Sequence, residues 1–507
     1  MAKGIGYSEG RAAGRFIGFF LKRQHPIMIL RYIAKYLWLL VIPLGKYLIA
    51  SKFNFESWIK ANWVDILTLS VIVGYGILRW IFIYFEITDD SVIAHTGYFG
   101  ISRTRVYFRE MSSMSLCQGY FYRLIGACSV YIDTDAKSIQ SSDITLDITQ
   151  KQASRIYELA SQRCRNKPKY IYKARKSDLM IFSLLFSSTL SGMLLTLTFI
   201  YEVYHIFGRE IEMQFIERLN NTLESLTLHI PKYLIAASVL LIGSWLLSFV
   251  SNLMRHWGFT CTRCWDMLFV SSGKGTRRRH ILMRSRINYI DYQQTMLMKF
   301  FRICMVSVNC TGYGKRRLEI NALVPITTND HVAASIKMLM PGTPKVDYDI
   351  RTGSFSDVTR FITIPLILCA VPWVVYNILC RVIVNVTVIT RIVPDWQRSL
   401  RSLTVLSMLP LIWLLIVKLY AAFNTAVGLD SENCTLSYCR FTRFHRTVLR
   451  RDRISKIVVS QNPFQRVSRT CTLKIYTNSE KKSTHTVGSL RYNELIKVIS
   501  PQLEVRS

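Results

Sequence analysis

The amino-acid sequence predicts an α+β membrane protein. Six transmembrane helices are expected to form three hairpins, each followed by a small cytoplasmic β-sandwich or barrel that closes with a C-terminal helix. Three observations predict this class: half of the 507 residues are hydrophobic, these residues gather in six long runs arranged in pairs, and one short motif follows each pair. The three copies of the motif begin at Met111, Ile287 and Ile454.

Each apolar run is long enough to cross a bilayer as a helix, which takes roughly 20 residues. The runs are Tyr32–Ala50, Val64–Phe85, Leu179–Ile200, Pro231–Leu253, Phe361–Cys380 and Leu403–Phe423. No small-residue cleavage site follows the first run, so we interpret it as a span and not as a signal peptide. The basic residues 1–31 before it form an amphipathic segment that either lies on an anionic membrane surface or only fixes topology.

The charge distribution predicts the orientation. The formal net charge is +33, from 65 basic and 32 acidic residues, and the basic residues flank the apolar runs. The link Tyr201–Lys232 is acidic by contrast. The positive-inside rule therefore places both termini and all three soluble segments in the cytoplasm, beneath the plasma membrane. Nucleic-acid binding would also account for a basic excess, but the flanking pattern favours topology, and we predict no nucleic-acid partner.

The repeated motif has the same internal spacing in each copy. Its positions are Met111, Met114, Gln118, Phe121, Leu124 and Cys128; then Ile287, Ile290, Gln294, Leu297, Phe300 and Cys304; and then Ile454, Ile457, Gln461, Phe464, Val467 and Cys471. We interpret them as the folding signature of one small domain, with apolar strand positions, a glutamine that satisfies backbone groups at a bend, and a buried cysteine. Ligand binding by the glutamines is the alternative.

Strands and a closing helix are predicted in each soluble segment. Runs rich in β-branched residues follow each motif cysteine and predict strands, and a further strand is expected in the first segment. These runs are Ser129–Asp133, Met305–Asn309, Thr472–Tyr476 and Ile144–Ile148. The amphipathic helices are Ala153–Gln162, His331–Met340 and Tyr492–Ile499. Thr149 and Thr328 are predicted to cap the first two.

One stretch resembles a known family. The string RVYFREMSSMSLCQGYFYRLIG from Arg105 to Gly126, followed by VYIDT from Val130, is similar to the signature of bacterial pleckstrin-homology-like (PH-like) membrane proteins of the YdbS/YdbT type. The resemblance implies a three-domain, YdbT-like chain whose soluble segments are PH-like. It also implies a smaller partner that has two spans and one such domain.

The resulting domain prediction covers the whole chain. Residues 1–31 are the basic N-terminal segment, 32–85 the first hairpin, 86–165 the first PH-like domain and 166–178 a basic linker. Residues 179–254 are the second hairpin with its acidic external extension, 255–342 the second domain, 343–360 a linker, 361–423 the third hairpin and 424–507 the third domain.

Two basic clusters are candidate sites for anionic lipid headgroups or protein partners, because each cation near a cytoplasmic leaflet is worth about 1 kcal/mol of attraction. They comprise Lys274, Arg277, Arg278, Arg279, Arg284 and Arg286 in the second domain, and Arg440, Arg443, Arg446, Arg450, Arg451 and Arg453 in the third. A solvated face that only fixes topology is the alternative. Arg381 is a candidate intramembrane site or an interfacial anchor.

The sequence offers little for catalysis. Cys261 and Cys264 have zinc-type spacing, but no second pair with that spacing accompanies them. The twelve cysteines are predicted to be free thiols in a reducing cytoplasm. No nucleophile–base set or carboxylate pair stands out. We therefore predict a protein that is not an enzyme and that has no metal, cofactor or small-molecule substrate.

The predicted function is an integral membrane scaffold or adaptor, whose PH-like domains bind membrane-protein partners and phospholipid headgroups. The alternative is a transporter or lipid-handling protein that uses the helix bundle. That alternative predicts polar residues facing one another inside the bundle, whereas the runs consist mostly of Leu, Ile, Val and Phe.

Overall fold

The computed structural model describes most of the chain: residues 22–33, 55–96, 102–136, 142–164, 168–186, 232–314, 321–343, 350–351, 355–384, 396–430, 432–478 and 484–503. The chain divides into two compact units, Met1–Ser285 and Arg286–Ser507. The boundary falls inside the predicted second domain, residues 255–342, so that this domain contributes strands to both units.

Among its described residues, unit 1 contains eleven strands, the six helices given below and a further helical stretch at residues 27–33. The strands are β1 Lys22–Arg23, β2 Tyr84–Ile87, β3 Ser91–Thr96, β4 Ser102–Tyr107, β5 Met111–Gln118, β6 Ala127–Thr134, β7 Ile144–Thr149, β8 Tyr170–Lys173, β9 Thr260–Cys264, β10 Met267–Ser272 and β11 Arg277–Met283. The helices are α1 Phe55–Ala61, α2 Trp63–Phe82, α3 Tyr120–Leu124, α4 Gln150–Ser161, α5 Lys176–Phe186 and α6 Lys232–His256.

Unit 2 repeats the pattern, with ten strands and six helices in its described part. The strands are β12 Ile287–Thr295, β13 Ile303–Cys310, β14 Ala322–Thr328, β15 Ile350–Arg351, β16 Ala426–Leu429, β17 Asn433–Arg440, β18 Arg443–Arg450, β19 Ile454–Ser460, β20 Thr470–Thr477 and β21 Thr484–Arg491. The helices are α7 Met296–Phe300, α8 Asn329–Leu339, α9 Phe355–Val384, α10 Trp396–Phe423, α11 Pro463–Val467 and α12 Tyr492–Leu503.

The first domain is a sandwich of two antiparallel sheets closed by a helix. A four-stranded sheet, in the order β1-β2-β3-β4, supplies Phe85, Val92 and Val106 to the core. The strands β5, β6 and β7 face it, and α4 adds Ile156. The strand β5 is buried along its whole length, because its inner face lies in this core and its edge pairs with β11.

The third domain, in unit 2, has the same plan. The strands β15 to β18 form one half, and the three-stranded sheet β19-β20-β21 with α12 forms the other. Val427, Leu436 and Leu449 pack against Cys471, Leu473 and Leu495 in one buried cluster. The motif thus covers the first strand of the second sheet, the bend after it and the beginning of the next strand.

Each four-stranded half begins before its apolar helices. The strand β1 pairs with β2 through Lys22 and Phe85, β8 pairs with β9 through Tyr170 and Arg263, and β15 pairs with β16. The apolar helices are therefore inserted between the first and second strands of each half. The predicted order, with the hairpin first and the domain after it, is wrong for this first strand.

Consecutive domains share continuous sheets. One seven-stranded sheet has the order β7-β6-β5-β11-β10-β9-β8, and the other has the order β14-β13-β12-β18-β17-β16-β15. The register is the same at both junctions: Gln118 lies opposite Arg277, and Gln294 lies opposite Phe444. Arg277 precedes Ile287 by the same number of residues as Phe444 precedes Ile454. The first strand of the first and second motif copies therefore binds the fourth strand of the following domain.

The prediction of six transmembrane helices is wrong. Among the described residues, two helices are long and apolar enough to cross a membrane, Trp63–Phe82 and Phe361–Val382. The apolar part of α10, Ser407–Phe423, is shorter, because the helix begins with polar residues. The runs Tyr32–Ala50 and Leu179–Ile200 lie largely outside the described residues. Composition located the apolar runs but did not predict the length of the helix that each run forms.

The strands and closing helices predicted for the soluble segments are confirmed. The four predicted strands lie within β6, β7, β13 and β20, and the three closing helices are α4, α8 and α12. Thr149 caps α4 in a reciprocal pair with Gln152, whereas Thr328 makes no side-chain cap hydrogen bond. Not every cysteine is a free thiol as predicted, because Cys164 and Cys264 form a disulfide within unit 1.

Candidate functional site

Exposed apolar side chains lie together at the three bends of the motif. We name the short helices α3, α7 and α11 bend 1, bend 2 and bend 3. Phe121, Phe300 and Phe464 in these bends are 74%, 80% and 87% exposed. Leu124, Leu297 and Val467 are exposed beside them. Apolar clusters of this kind mark contact surfaces.

The motif glutamine holds each bend in the same way. The Nε2 group of Gln118 donates to the Ala127 carbonyl oxygen at 3.1 Å, that of Gln294 to Ile303 at 2.9 Å, and that of Gln461 to Thr470 at 2.8 Å. These bonds join the two ends of each bend. The hydrogen bond closes the loop, so its apolar side chains remain on the outside and do not pack onto the sheet.

The position that ends each bend requires a left-handed backbone. Gly126, Arg302 and Arg469 occupy equivalent sites with φ angles of 72°, 52° and 52°. An L-residue with a side chain is strained there, and only the first copy has the glycine that avoids the strain. The strain fixes the direction in which the next strand leaves the bend.

Bend 1 lies at the end of the sheet where an apolar helix arrives. The strand β5 ends at Gln118 opposite Arg277, the first residue of β11. The turn before β11 is tied to the last turn of α6, because the amides of Gly273 and Lys274 donate to the carbonyl oxygens of Trp257 and Met254 at 2.9 and 3.0 Å. Bend 1 therefore projects at the helix-bearing end of unit 1.

Bend 2 contacts an apolar helix directly. The ammonium of Lys299 lies 4.4 Å from the ring centre of Tyr420 on α10 and 4.1 Å from that of Phe444 on β18. Met296 packs on the cluster of Val417, Ala421 and Phe444. Bend 2 thus lies beside the C-terminal end of α10, and Phe300 in it remains exposed.

A cavity of about 670 Å³ opens beside bend 2. Its lining includes three cations, Lys299, Lys337 and Arg446, together with the amides of Gln294 and Asn329. Burial, with a smaller contribution from Arg446, lowers the pKa of Lys299 to about 8. The cavity presents donors and positive charge and has no carboxylate in its lining, so it suits an anionic group.

The structure divides each predicted basic cluster between the two ends of a strand. One group surrounds the beginning of β11 or β18, near the bends: Lys274, Arg277, Arg278 and Arg279, and likewise Arg440, Arg443 and Arg446. The other group follows the same strands: Arg284, Arg286, Arg450, Arg451 and Arg453. The two ends of β11 are about 20 Å apart at about 3.3 Å per residue. The clusters are therefore not single patches.

Three of the five far-end arginines have carboxylate partners. Arg284 lies 3.3 Å from Asp266, and Arg450 and Arg453 lie 2.8 and 3.9 Å from Asp452. The near-end cations lie at the same ends of β11 and β18 as the bends, because Gln118 pairs with Arg277 and Thr295 pairs with Arg443.

Other predicted positions fall elsewhere. Cys128, Cys304 and Cys471 are buried, and burial raises the pKa of their thiols to about 12, 12 and 11. Arg381 is exposed in the last turn of α9, at the end of an apolar helix and away from other named candidates.

Buried polar contacts link the domains across the shared sheets, and the sequence analysis missed them. In unit 1, the Ser115 hydroxyl lies 2.8 Å from Nδ1 of His280. In unit 2, the Asp291 carboxylate lies 2.9 Å from Nδ1 of His445 and accepts from the Thr447 hydroxyl at 3.0 Å. The paired residues are far apart in the chain, so no local sequence pattern predicts the contacts.

In each unit, the fold and the bends define a PH-like sandwich domain that shares a continuous sheet with strands of the second domain and is associated with apolar helices. The family model of the bacterial PH domain matches the chain three times, at residues 27–163, 218–337 and 362–499. The chain belongs to the bacterial PH domain family, and its domains are repeats of that domain. No curated protein and no solved structure matches the chain.

Proposed function

We propose that the chain is a non-enzymatic membrane adaptor whose PH-like domains rest on the cytoplasmic leaflet through the three bends. In this arrangement, the opposite ends and outer faces of the domains remain available to protein partners. The proposal is carried by one observation, the exposure of Phe121, Phe300 and Phe464 at equivalent bends, two of which lie beside apolar helices.

The energetics favour membrane contact by these bends. Moving an exposed Phe or Val side chain out of water is worth about 1.5–3 kcal/mol. Aromatic residues are favoured at membrane–water interfaces, where basic neighbours reach the headgroups. Each bend has such a neighbour, since Arg123, Arg302 and Arg466 are exposed beside the apolar side chains. Three shallow contacts together would hold the domains against the leaflet.

The cavity beside bend 2 is proposed to bind the phosphate of an anionic lipid. Lys299, Lys337 and Arg446 line it, and Phe300 would reach the acyl region next to it. A cation near an anionic leaflet contributes about 1 kcal/mol. The cavity would therefore add selectivity for anionic lipid to the nonselective attraction of the bends.

The test uses the full-length chain in nanodiscs that contain a phosphatidylglycerol with a photoactivatable group near the glycerol. After illumination, peptides that carry lipid adducts are identified by mass spectrometry. Adducts are expected at Tyr120–Leu124, Met296–Phe300 and Pro463–Val467 as well as in the apolar helices. Adducts confined to the helices would contradict the proposal.

Two variants sharpen this test. Lys299→Gln with Arg446→Gln should lower the yield of anionic-lipid adducts at bend 2 several-fold and leave bend 3 unchanged. Phe464→Ser should lower the yield at bend 3 only. Trp265→Ser is the matched control, because Trp265 is exposed in the turn at the opposite end of β9 and should not affect labelling.

A further inference from the structure

Two strand edges end the series of shared sheets. The strand β4 is the last strand of the sheet β1-β2-β3-β4, and β19 is the first strand of the sheet β19-β20-β21. Within the described ranges, neither strand has a second neighbour. These two strands are the counterparts of the strands that pair at the two junctions inside the chain: β4 corresponds to β11 and β18, and β19 corresponds to β5 and β12.

The internal junctions specify how such edges fit together. Ser115 lies opposite His280, and Asp291 lies opposite Thr447, at the same motif position. Applied to the two remaining edges, this register places Thr104 opposite Val458 and Ser102 opposite Ser460. Six positions of β19 would then face the fourth strand of a first domain, with antiparallel strands as at both observed junctions.

Burial shows that β19 lacks the neighbour its counterparts have. Every residue of β5 is buried, and the first five residues of β12 are buried. In β19 no residue is buried, and Ser455 and Lys456 are exposed. The strand β4 is equally uncovered, with Val106 as its one buried residue. An exposed strand edge is a template for pairing with another chain.

We propose that β19 of one chain binds β4 of a second copy of the same chain, continuing the sheet in the register of the internal junctions. The contact joins different surfaces of the two copies, so it is head-to-tail and can extend beyond a dimer. The main-chain hydrogen bonds of strand addition supply the affinity. The inference rests on the sheet register and does not depend on lipid binding by the bends.

The side chains make this junction weaker than the two internal ones. Arg103 matches Arg279 and Arg446 in position, so the basic character of the fourth strand is kept. Arg105, however, stands where the internal junctions have Ile281 and Val448, both of which are buried. Val458 also cannot form the polar link that Ser115 and Asp291 form. The association is therefore reversible and depends on the concentration of the chain in the membrane.

The proposal is tested by disulfide trapping between full-length chains that carry different tags. One chain has Thr104→Cys and the other has Val458→Cys, and both are expressed in the same membranes and oxidised. Opposed positions across an antiparallel pair are close enough for a disulfide. The expected product is a covalent dimer that contains both tags and disappears on reduction.

The matched control pairs Thr104→Cys with Ser455→Cys, which the register places about 10 Å further along the strand. It should give no more mixed-tag dimer than the wild-type chains, which report the background from native cysteines. Arg105→Ile, which restores the apolar residue of the internal junctions, should raise the yield of the Thr104–Val458 product several-fold without changing the control.

Three results would overturn the proposal. The first is a Thr104–Val458 yield no higher than that of the control. The second is a product that forms only within one chain when both substitutions are combined. The third is trapping of a different membrane protein by the Val458→Cys chain with no dimer of this chain. Lipid-adduct mapping on the same samples reports the bends separately, so failure of one proposal does not imply failure of the other.

Discussion

The buried contact between Asp291 and His445 should control the stability of the second shared sheet. Both side chains are about 95% buried, and the carboxylate also accepts hydrogen bonds from Thr447 at 3.0 Å and Gln293 at 2.8 Å. Asp291→Ala removes the acceptor of all three groups. Removing one partner of such a pair typically costs 3–5 kcal/mol.

The contacts that remain place the effect at the lower end of that range. Gln293 keeps the Ser307 hydroxyl at 3.0 Å, and Thr447 keeps the Tyr438 hydroxyl at 3.4 Å. His445 retains its stacking on Tyr438 but loses its polar partner. We therefore expect a loss of about 3 kcal/mol in local opening free energy, which corresponds to roughly a hundredfold change in the opening equilibrium.

Hydrogen exchange of the full-length chain, followed by mass spectrometry, measures this effect. The amides of β12 and β18 should exchange about a hundredfold faster in Asp291→Ala, while those of β5 and β11 stay unchanged. Asp452→Ala is the matched control, because Asp452 forms an exposed ion pair with Arg450, and such pairs contribute about 0–1 kcal/mol. An Asp291→Ala effect no larger than that of the control would refute the reasoning.

Three further predictions concern bend 2 and its counterparts. Arg302→Gly and Arg469→Gly should each stabilise the detergent-solubilised chain by about 0.5–1 kcal/mol in thermal unfolding, because glycine relieves the left-handed strain, and Gly126→Ala should have the opposite effect. Burial lowers the pKa of Lys299 from 10.5 to about 8, so holding Lys299 protonated in the folded chain costs stability, and this stability should be recovered as the pH rises from 8 to 10.5. Lys299→Met should abolish the gain, and an unchanged pH profile in that variant would contradict the prediction. Burial raises the pKa of Cys304 to about 12, so its thiol should resist alkylation at pH 8 until the chain is unfolded.

Local features of the fold could be predicted from sequence because they repeat at short range. The β-branched runs after Cys128, Cys304 and Cys471 gave correct strands, and the amphipathic stretches gave correct helices. The role of the glutamine followed from the need of a half-buried amide for partners. Each of these inferences used residues that lie within about ten positions of one another.

The exposure of the bends could not be predicted, because hydrophobicity does not reveal it. A short apolar run fits a strand, a helix or a contact surface, and the sequence analysis interpreted the apolar residues of the motif as part of a folding signature. The structure shows that two of the six motif positions are exposed in every copy.

The junctions between domains could not be predicted from local sequence patterns, for a different reason. Pairing of β5 with β11 joins residues more than a hundred positions apart, and the strand β15 is only two residues long. The basic clusters looked continuous because Arg277 and Arg286 are close in sequence. An extended strand separates its two ends far more than a helix or turn of the same length would.

Water access to the bends tests the central claim most directly. The measurement is hydroxyl-radical footprinting of the full-length chain in nanodiscs, with each residue normalised to its reactivity in the unfolded chain. In the protein without a membrane, the side chains of Phe121, Phe300 and Phe464 are more exposed than that of Trp265, which is 56% exposed at the other end of the sheet. The account predicts that the three phenylalanines are oxidised more slowly than Trp265. Oxidation in proportion to their exposure would show that the bends face water, and the account would be contradicted.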